Sequence, residues 1–380
     1  MRQLYLAATG MNRGKTTVSL GLLAALFGRG LRTGFIKPVG QRYAMVDGTP
    51  ADEDAILVKS AFDLPDPLDA LSPVHIPRGF TKAYIGGEVV EDLGARIRAA
   101  YERVAQGRDV LLVEGTGHAG VGSVVDLSNA QVAAMLGARA IIVSEAGVGR
   151  PIDEIVLNHA LFQRHGVEVV GAVVNKVDLD IHPSLADVLE RGLARHGIEL
   201  LGVLPYRPLL SNPTLSMLTE QLAGQLLHPG PDLGRVIEHV AIGAMQAEHV
   251  MERLGPGSLL IVPGDRVDVL RATVAAVRTG TLPRRWANRD PALHGSAMAG
   301  VVLTGGYLPS PEVVASARHA DLFMYAVRED TYDAASEVHD LLVKTHPDDR
   351  DKIELIKTLV AQHLDVDRIL RAFAEPVRAR

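Results

Sequence analysis

The 380-residue sequence contains no cysteine, which excludes disulfide bonds, thiolate metal sites and a cysteine nucleophile. Catalytic or metal-binding chemistry must therefore come from oxygen and nitrogen groups. An excess of basic charge is also missing, because 39 lysine and arginine residues stand against 45 aspartate and glutamate residues, for a formal net charge of −6. Without a large positive field the protein is poorly suited to follow a phosphate backbone, so we expect no nucleic-acid partner.

A long hydrophobic run is absent from the N-terminus. The apolar stretch LYLAA is interrupted at Gly10, far short of a signal-peptide core or a membrane span. We therefore expect a cytoplasmic protein without a membrane partner. The composition, with 47% hydrophobic and 22% charged residues, is typical of a soluble protein with two or three domains.

Short β-branched apolar runs alternate with amphipathic stretches through about residue 230. The runs are LYLAA, RTGFIK, DVLLVEG, ARAIIVS, VEVVGAVVN and ELLGVLP. Continuous apolar strands separated by helical patterns predict an α/β fold whose mostly parallel sheet is covered by helices on both faces. Ligands of such sheets bind at the carboxyl ends of the strands, where small, polar and glycine residues follow these runs.

A polar, proline-bearing segment at 226–234 predicts a domain boundary, so we expect the first domain to span 1–230. A helix is expected to follow, ending at Gly255. The runs SLLIVPGDR, AGVVLTGGY and DLFMYAVRE then predict a second, smaller α/β domain at 235–345.

Two further segments carry expectations about organisation. The tail at 346–380 has apolar residues at helical spacing, and we expect it to pack as helices on the second domain. The segment 279–297 is polar, basic in its centre and contains the only tryptophan, which predicts a mobile excursion.

The stretch ATGMNRGKTT lies between the first strand and the first predicted helix. Such a loop offers several backbone N–H groups in one concavity, and the helix dipole favours an anion there. Lys15 would reach the β- and γ-phosphates of a nucleotide, and the Thr16 hydroxyl would ligate Mg²⁺. Thr9 replaces the first glycine of the G-x-x-x-x-G-K-[ST] pattern. The alternative, a glycine-rich turn with a solvated lysine, leaves the lysine and hydroxyl unexplained. The residues expected to contact nucleotide are Thr9, Gly10, Met11, Asn12, Arg13, Gly14, Lys15, Thr16 and Thr17.

Two charged residues close strands that should end beside this loop. Lys37 ends the second strand, and Glu114 ends the run DVLLVEG, where it would hold Mg²⁺. Taken singly, a lysine before proline is a common surface residue and Glu-Gly a common turn. The acidic residues Asp52, Glu53 and Asp54 precede a predicted helix. Helix capping is the favoured explanation for any one of them, and completion of the Mg²⁺ shell is the alternative.

The segment VVNKVD closes another strand and matches the N-K-x-D pattern that reads guanine in small GTPases. The amide of Asn175 can donate and accept, so it could read either purine. The choice between ATP and GTP stays open on these residues.

Together, ATGMNRGKTT, FIKPVG, DAILV, VEGTGHAG and VVNKVD resemble the dethiobiotin-synthetase-like branch of P-loop proteins. The first loop glycine is commonly threonine in that branch as well. The resemblance implies ATP and Mg²⁺ as cofactors, Lys15 and Lys37 as the groups acting on the phosphates, and a homo-oligomer with its acceptor site at a dimer interface. It also implies that Asn175 contacts adenine. The implied metal ligands are Thr16, Asp54 and Glu114.

The second domain contains Asp265-Arg266 and Thr304-Gly305-Gly306, which resemble the motifs of the DRTGG domain. With the C-terminal DDRDKIELIKTLVAQHLD, the order of modules resembles the N-terminal regulatory half of long bacterial phosphate acetyltransferases. The sequence ends at Arg380, where the catalytic domain of such a protein would begin. We therefore do not expect this chain alone to catalyse phosphotransacetylation.

The DRTGG-like motifs allow a ligand site or a purely structural role. The backbone N–H groups of Gly305 and Gly306 could meet an anion, although a tight turn is the favoured explanation. Arg266 could bind an effector, or Asp265 and Arg266 could pair and brace the loop, which is the interpretation we prefer.

Three functions are compatible with these patterns. The preferred one is a regulatory or sensor protein that binds Mg-ATP and hydrolyses it slowly. The second is an ATP-dependent ligase or carboxylase, in which residues 117–131 would shape an acceptor pocket with Gly117, Asp126 and Asn129 as contacts. For Asp126 the alternative is capping of a helix that starts near Ser128. The third is a subunit that docks on a separate acetyltransferase catalytic subunit.

Overall fold

The computed structural model describes residues 1–89, 91–283, 298–341 and 343–373. The chain divides into two compact units, one formed by Met1–Tyr206 together with the segment from Thr345, and the other by Arg207–Lys344. Most of the predicted excursion at 279–297 lies outside the described residues.

The first unit is built around a parallel sheet. Its strands are β1 (Arg2–Ala8), β2 (Thr33–Ile36), β3 (Val39–Gly40), β4 (Tyr43–Val46), β5 (Thr49–Asp52), β6 (Val74–His75), β7 (Val110–Glu114), β8 (Arg139–Glu145), β9 (Val169–Val177) and β10 (Leu200–Pro205). Six strands form the main sheet, in the order β10-β9-β8-β1-β7-β2, and all of its pairings are parallel. Strands β3 and β6, and strands β4 and β5, form two small separate pairs.

The six main strands coincide with the six apolar runs of the sequence, which confirms the predicted α/β fold. Every residue of β7 is buried. Successive side chains of a strand point to opposite faces, so both faces of the sheet must be covered. The helices that precede the second unit are α1 (Lys15–Gly28), α2 (Glu53–Phe62), α3 (Leu68–Leu71), α4 (Phe80–Ile85), α5 (Leu93–Ala105), α6 (Asn129–Met135), α7 (Gly149–Arg164) and α8 (Leu185–Ala194).

The second unit contains a smaller sheet of five strands. They are β11 (Gly224–His228), β12 (His239–Ile242), β13 (Ser258–Pro263), β14 (Gly300–Thr304) and β15 (Met324–Val327). The order is β11-β15-β14-β13-β12, with β11 antiparallel to β15 and the other pairs parallel. Its helices are α9 (Pro208–Ser211), α10 (Leu215–Gln221), α11 (Ala247–Met251), α12 (Val267–Thr279), α13 (Pro311–His319) and α14 (Thr331–His339).

Alternate residues of the second sheet enter two different hydrophobic clusters. Leu260 and Val262 of β13 join the cluster that includes α11, α12 and α13. Leu259 and Ile261 join the cluster that includes α10 and α14. The smaller sheet is therefore also covered on both faces, in agreement with the predicted second α/β domain.

The prediction of one helix from residue 235 to Gly255 is wrong. That segment contains β12 and the short helix α11, and the predicted boundary at 226–234 overlaps β11. The physical reason is the alternation of exposure along β12, where Ala241 is buried between two exposed neighbours. The backbone groups of β12 form their hydrogen bonds with β13, and not within a helix.

The expectation that the tail packs on the second domain is also wrong. Helices α15 (Arg350–His363) and α16 (Val366–Ala372) belong to the first unit, where they pack on α1 and β10. At Gly21 of α1, an added Cβ atom would lie 2.2 Å from Val360 of α15. The absence of a side chain at Gly21 therefore allows the two helices to approach closely. The Asp365 N–H also donates to the Leu201 carbonyl at 2.9 Å.

No helix among the described residues combines the length and apolar character that crossing a bilayer requires.

Candidate functional site

The predicted phosphate loop connects the end of β1 to the start of α1. Gly14 is the N-cap residue of α1 and has φ +95°, while Asn12 also has a positive φ, +57°. Thr9 is held against β8, because its N–H donates to the Val143 carbonyl at 2.9 Å and its hydroxyl lies 3.1 Å from that of Ser144. Thr9, which replaces the first glycine of the phosphate-loop pattern, thus connects the loop to strand β8.

Asn175 lies directly beneath this loop. Its Nδ2 donates to the Arg13 carbonyl at 3.2 Å, and a Cβ atom at Gly14 would lie 1.9 Å from that nitrogen. In the same N-K-x-D segment, the Asp178 carboxylate accepts from the N–H of Ile181 at 3.1 Å. The aspartate of the guanine-reading pattern therefore stabilises its own turn.

A charged group on the outer side of the loop was missed by the sequence analysis. Glu145 forms ion pairs with Arg13 and with Lys176, the latter at 2.8 Å. Lys176 also donates to the Asn12 carbonyl at 3.0 Å. The signal was available in principle, since Glu145 ends β8 and Lys176 is next to the end of β9, at the edge where the loop lies.

The other loop residues differ in exposure. Met11 is 53% exposed at the loop tip, and Thr17 is half-buried in the first turn of α1. Lys15 is only 8% exposed, and its Nζ lies 3.5 Å from the Gly10 carbonyl oxygen. Burial, reinforced by the nearby Lys37, lowers the pKa of Lys15 to about 8.

Lys37 lies at the centre of an acidic cluster. Its Nζ donates to Glu114 Oε1 at 3.0 Å and to Asp54, and it lies 3.9 Å from Asp52 Oδ1. Burial alone would lower the pKa of Lys37, but Asp54, Glu114 and Asp52 together raise it well above its ordinary value. Lys37 is therefore protonated in the folded protein.

The two carboxylates that contact Lys37 also accept hydroxyl hydrogen bonds from α1. Thr16 Oγ1 donates to Asp54 at 3.0 Å and to Glu114 at 3.3 Å, and Ser19 Oγ donates to Glu114 at 2.5 Å. Burial raises the pKa of Glu114 above its usual value. Burial is also the largest single influence on Asp54 and acts in the same direction, but the charge of Lys37 and hydrogen bonds with Lys37, Thr16 and Glu114 together lower the pKa of Asp54. Ser19 was not predicted, although its position three residues after Thr16 places it on the same helix face.

Two aspartates of the acidic run at the start of α2 have different roles. Asp52 is the N-cap of α2 and accepts from the Asp54 N–H at 3.0 Å, while Asp54 extends towards Thr16 and Lys37. Hydroxyl and carboxylate oxygens are the ligands that Mg²⁺ prefers, so the donor set suits this ion. In the described part of the chain no three His, Cys, Asp or Glu side chains form a metal-holding group. Phosphate oxygens and water would have to complete a metal shell.

The residues nominated for an acceptor pocket are engaged within the first unit. Asn129 accepts from the Tyr5 hydroxyl at 2.8 Å and donates to the carbonyls of Thr116 and His118 at 2.8 and 2.6 Å. Its amide thus holds the chain after β7. Gly117 has φ +66° in that same segment.

Asp126 does not cap the helix that follows it. The N-cap of α6 is Ser128, which forms a capping box with Gln131. Asp126 instead has a positive φ, +55°, and accepts from the Tyr84 hydroxyl at 3.0 Å.

In the second unit, the prediction that Asp265 pairs with Arg266 is wrong, because Arg266 pairs with a different aspartate. Arg266 forms a bidentate ion pair with Asp268, with both N···O distances 2.9 Å. It also donates to the Met245 carbonyl at 2.8 Å. The two oxygens of Asp268, two positions after Arg266, accept the two guanidinium hydrogen bonds. Arg266 therefore braces the loop, as the preferred interpretation predicts.

The two glycines of the DRTGG-like motif use their N–H groups internally. Gly305 donates to the Glu329 carbonyl at 2.7 Å, and Gly306 donates to the Val327 carbonyl at 3.1 Å. Both have a positive φ. The geometry is that of a tight turn and not of an anion cradle.

Comparison with known proteins adds the family. Residues 2–214 match the family described as an AAA domain, and residues 217–341 match the DRTGG domain. Curated relatives include phosphate acetyltransferase of Nitrosomonas europaea, 27% identical over all of this chain and 53% of the relative. The enzyme of Pseudomonas putida is 30% identical over 96% of this chain and 51% of the relative. The chain therefore spans about half the length of the curated relatives it matches.

Solved structures show similarity of fold only. Cobyrinic acid a,c-diamide synthase from Mycobacterium smegmatis with bound ADP and magnesium matches with a TM-score of 0.38 and 16% identity, covering 55% of this chain and 87% of that chain. The CBS and DRTGG domains of Clostridium perfringens pyrophosphatase match with a TM-score of 0.27 and 19% identity, covering 39% of this chain and 60% of that chain. From the family matches, the chain belongs to the dethiobiotin-synthetase-like AAA family of P-loop proteins and carries a DRTGG domain after its P-loop domain.

Proposed function

We propose that this protein binds Mg-ATP and acts as a regulatory or sensor protein related to phosphate acetyltransferases. The observation that carries the proposal is the convergence of Lys15, Lys37, Thr16, Asp54 and Glu114 at the start of one helix. Similarity to phosphate acetyltransferases along essentially the whole chain supports the regulatory part.

Different residues would bind the phosphates and the metal ion of Mg-ATP. Backbone N–H groups of the loop and the amino end of α1 would face the phosphates, and Lys15 would add a positive charge in a water-poor position. Thr16, Asp54 and Glu114 would hold Mg²⁺, which neutralises phosphate charge when bound. Lys37, which contacts the same carboxylates, would act on the terminal phosphate.

The contacts of Asn129 favour regulation over a ligase reaction, and the family resemblance favours ATP over GTP. The Asn129 amide oxygen accepts from the Thr116 N–H at 3.1 Å, and its Nδ2 donates to the carbonyls of Thr116 and His118. Both polar atoms of the side chain are therefore already used and are poorly placed to contact an acceptor substrate. Asn175 remains at the loop, where an amide can meet adenine.

We further propose that the regulated partner is an acetyltransferase catalytic domain, because the curated relatives are phosphate acetyltransferases of about twice this length. A homo-oligomer in the cytoplasm is part of the same proposal. Mixing the chain with a phosphate acetyltransferase catalytic domain, with and without ATP, should change the kinetics of acetyl transfer. Unchanged kinetics together with the absence of co-purification would remove this part.

Calorimetry tests the nucleotide proposal. Titration with Mg-ATP, Mg-GTP and a non-hydrolysable ATP analogue should show binding of the adenine nucleotides. Lys15→Ala should weaken it by about 2–3 kcal/mol, the cost of deleting a charge-assisted contact. Lys82→Ala is the matched control, because Lys82 is an exposed lysine of the same unit, and it should bind ATP as the wild type does.

Three results would contradict parts of the proposal. Equal ATP affinity of Lys15→Ala and wild type would remove the phosphate-loop site. Tighter binding of GTP would overturn the adenine assignment. Rapid ATP turnover only in the presence of a small amine or carboxylate would identify a ligase.

A further inference from the structure

Every carboxylate oxygen of Asp54 and Glu114 accepts a hydrogen bond from the protein. Asp54 Oδ1 accepts from Thr16 and Oδ2 accepts from Lys37. Glu114 Oε1 accepts from Lys37 at 3.0 Å, and Oε2 accepts from Ser19 at 2.5 Å. The oxygens that would hold a metal ion are therefore already used, and one ammonium group contacts both carboxylates.

Burial makes this ammonium group difficult to replace by water. Lys37 is 3% exposed and Glu114 is 0% exposed. Asp52 lies 3.9 Å from the same Nζ, so one positive charge faces three carboxylates. A second cation entering among these oxygens would lie next to Lys37 in a low-dielectric region, where like charges repel strongly.

We propose that Lys37 is the resident cation of the nucleotide-free protein and competes with Mg²⁺ for Asp54 and Glu114. The inference rests on the proposed function, because it concerns the order in which that site is filled. The two carboxylates become available to a metal ion only after the Lys37 side chain has moved to a bound triphosphate. Coordination of the metal ion by these carboxylates therefore follows binding of the triphosphate.

The exchange requires only a side-chain movement. The Lys37 N–H donates to the Leu71 carbonyl at 2.7 Å, which holds the backbone at the end of β2. Thr16 can turn its hydroxyl hydrogen away from the carboxylates without a change of rotamer, since a hydroxyl both donates and accepts. The site thus changes from a lysine-filled to a metal-filled arrangement on a fixed main chain.

Electron paramagnetic resonance of Mn²⁺ with the full chain and no nucleotide tests this order. We expect Lys37→Met to bind Mn²⁺ about tenfold or more tightly than the wild type, because the buried Glu114 and the partly buried Asp54 lose their counter-charge. Lys37→Met/Glu114→Gln should lose this gain. The matched control is Lys352→Met, which removes another buried lysine of the same unit that pairs with Asp349 at 3.2 Å, and it should leave Mn²⁺ binding at the wild-type level.

Equal Mn²⁺ affinity of the wild type and Lys37→Met would overturn the proposal, as would tight, stoichiometric binding of Mn²⁺ by the nucleotide-free wild type. The wild-type measurement does not depend on whether Lys37→Met folds, and Lys37→Gln provides a second charge-removing variant. Failure of the proposed function gives a different result, namely no ATP binding by calorimetry, whatever the nucleotide-free Mn²⁺ titrations show.

Discussion

Position 14 requires glycine for two independent reasons. Its φ of +95° is a left-handed conformation, which costs a residue with a Cβ atom about 1–2 kcal/mol. An added Cβ atom would also lie 1.9 Å from Asn175 Nδ2. Gly14→Ala should therefore lower the free energy of unfolding by more than the backbone cost alone and should abolish ATP binding, as measured by chemical denaturation and calorimetry.

Gly28→Ala is the matched control at the other end of the same helix. Nothing lies within 4 Å of a Cβ atom built there, so this variant should bind ATP as the wild type does and should be as stable or slightly more stable, because a helix favours alanine over glycine. A Gly14→Ala protein with wild-type stability would show that Asn175 moves aside without cost.

The Arg266–Asp268 pair should be visible in acid unfolding. The hydrogen bond from Arg266 lowers the pKa of Asp268 to about 2. A depressed folded-state pKa stabilises the protein above the unfolded value near 3.8, and this contribution is lost as the pH falls towards 2. Because the pair is exposed, we expect Asp268→Asn to destabilise the protein at neutral pH by less than about 1 kcal/mol.

The control for this pair is Asp265→Asn, which removes the neighbouring carboxylate and leaves the bidentate contact. Denaturation measured between pH 7 and pH 2 should show the Asp268→Asn difference shrinking through the acid range, while Asp265→Asn stays close to wild type. A larger effect from Asp265→Asn would restore the pairing expected from the sequence.

Individual residues were predictable where the topology brings them together. Lys37 and Glu114 both close strands, and the carboxyl ends of parallel strands share one edge, so their meeting beside Thr16 followed from the pattern. Ser19, as a partner of Glu114, and Asp268, as the partner of Arg266, were not predicted. Which nearby side chain forms the hydrogen bond depends on side-chain rotamers, which the sequence does not show. Sequence spacing places such residues near each other without selecting the pair that forms.

At the scale of elements, helix α1 is constrained both at its start and along its flank. It begins at the phosphate loop, and α15 lies against its flank at Gly21. Gly21→Ala should overpack this contact with Val360 and lower the unfolding free energy by about 1–3 kcal/mol. Thermal and chemical unfolding measure the change, with Gly28→Ala again as the control.

A double-mutant cycle identifies the partner of Gly21. Because Val360→Ala removes the atoms that an added methyl group would meet, Gly21→Ala/Val360→Ala should be less destabilised than the sum of the two single variants. Simple additivity would place Val360 away from Gly21.

The strands differ in how well the sequence predicts them. Strands covered on both faces, such as β7 and β13, read as uninterrupted apolar runs and were found. Strands β11 and β12 lie at the two edges of the smaller sheet and are largely exposed. Their mixed composition fits a boundary or a helix equally well, and only pairing with a neighbour makes them strands.

For the whole molecule, the assignment of the tail was the largest error of the sequence analysis. An amphipathic pattern shows that a helix has an apolar face but does not show which surface will cover it. The buried side chains of α15, including Ile353, Ile356 and Val360, could have covered either unit. In the structure they cover the first unit.

Truncation after Lys344 tests the consequence of that packing. Loss of α15 and α16 should destabilise the first unit, because apolar surface of α1 and β10 becomes exposed. In hydrogen exchange, amides of α1 and β10 should lose protection while those of β13 and β14 keep theirs. The opposite pattern would place the tail on the second unit.

The division of the first unit into two stretches of sequence has a consequence during synthesis on the ribosome. The chain leaves that unit after Tyr206 and returns to it at Thr345, so the whole second unit is translated before the first can be completed. The second unit is contiguous and can fold as it emerges, whereas the first must keep the flank of α1 uncovered until α15 has been made. The first unit, although it begins the chain, is therefore the last part of the protein that can complete its fold.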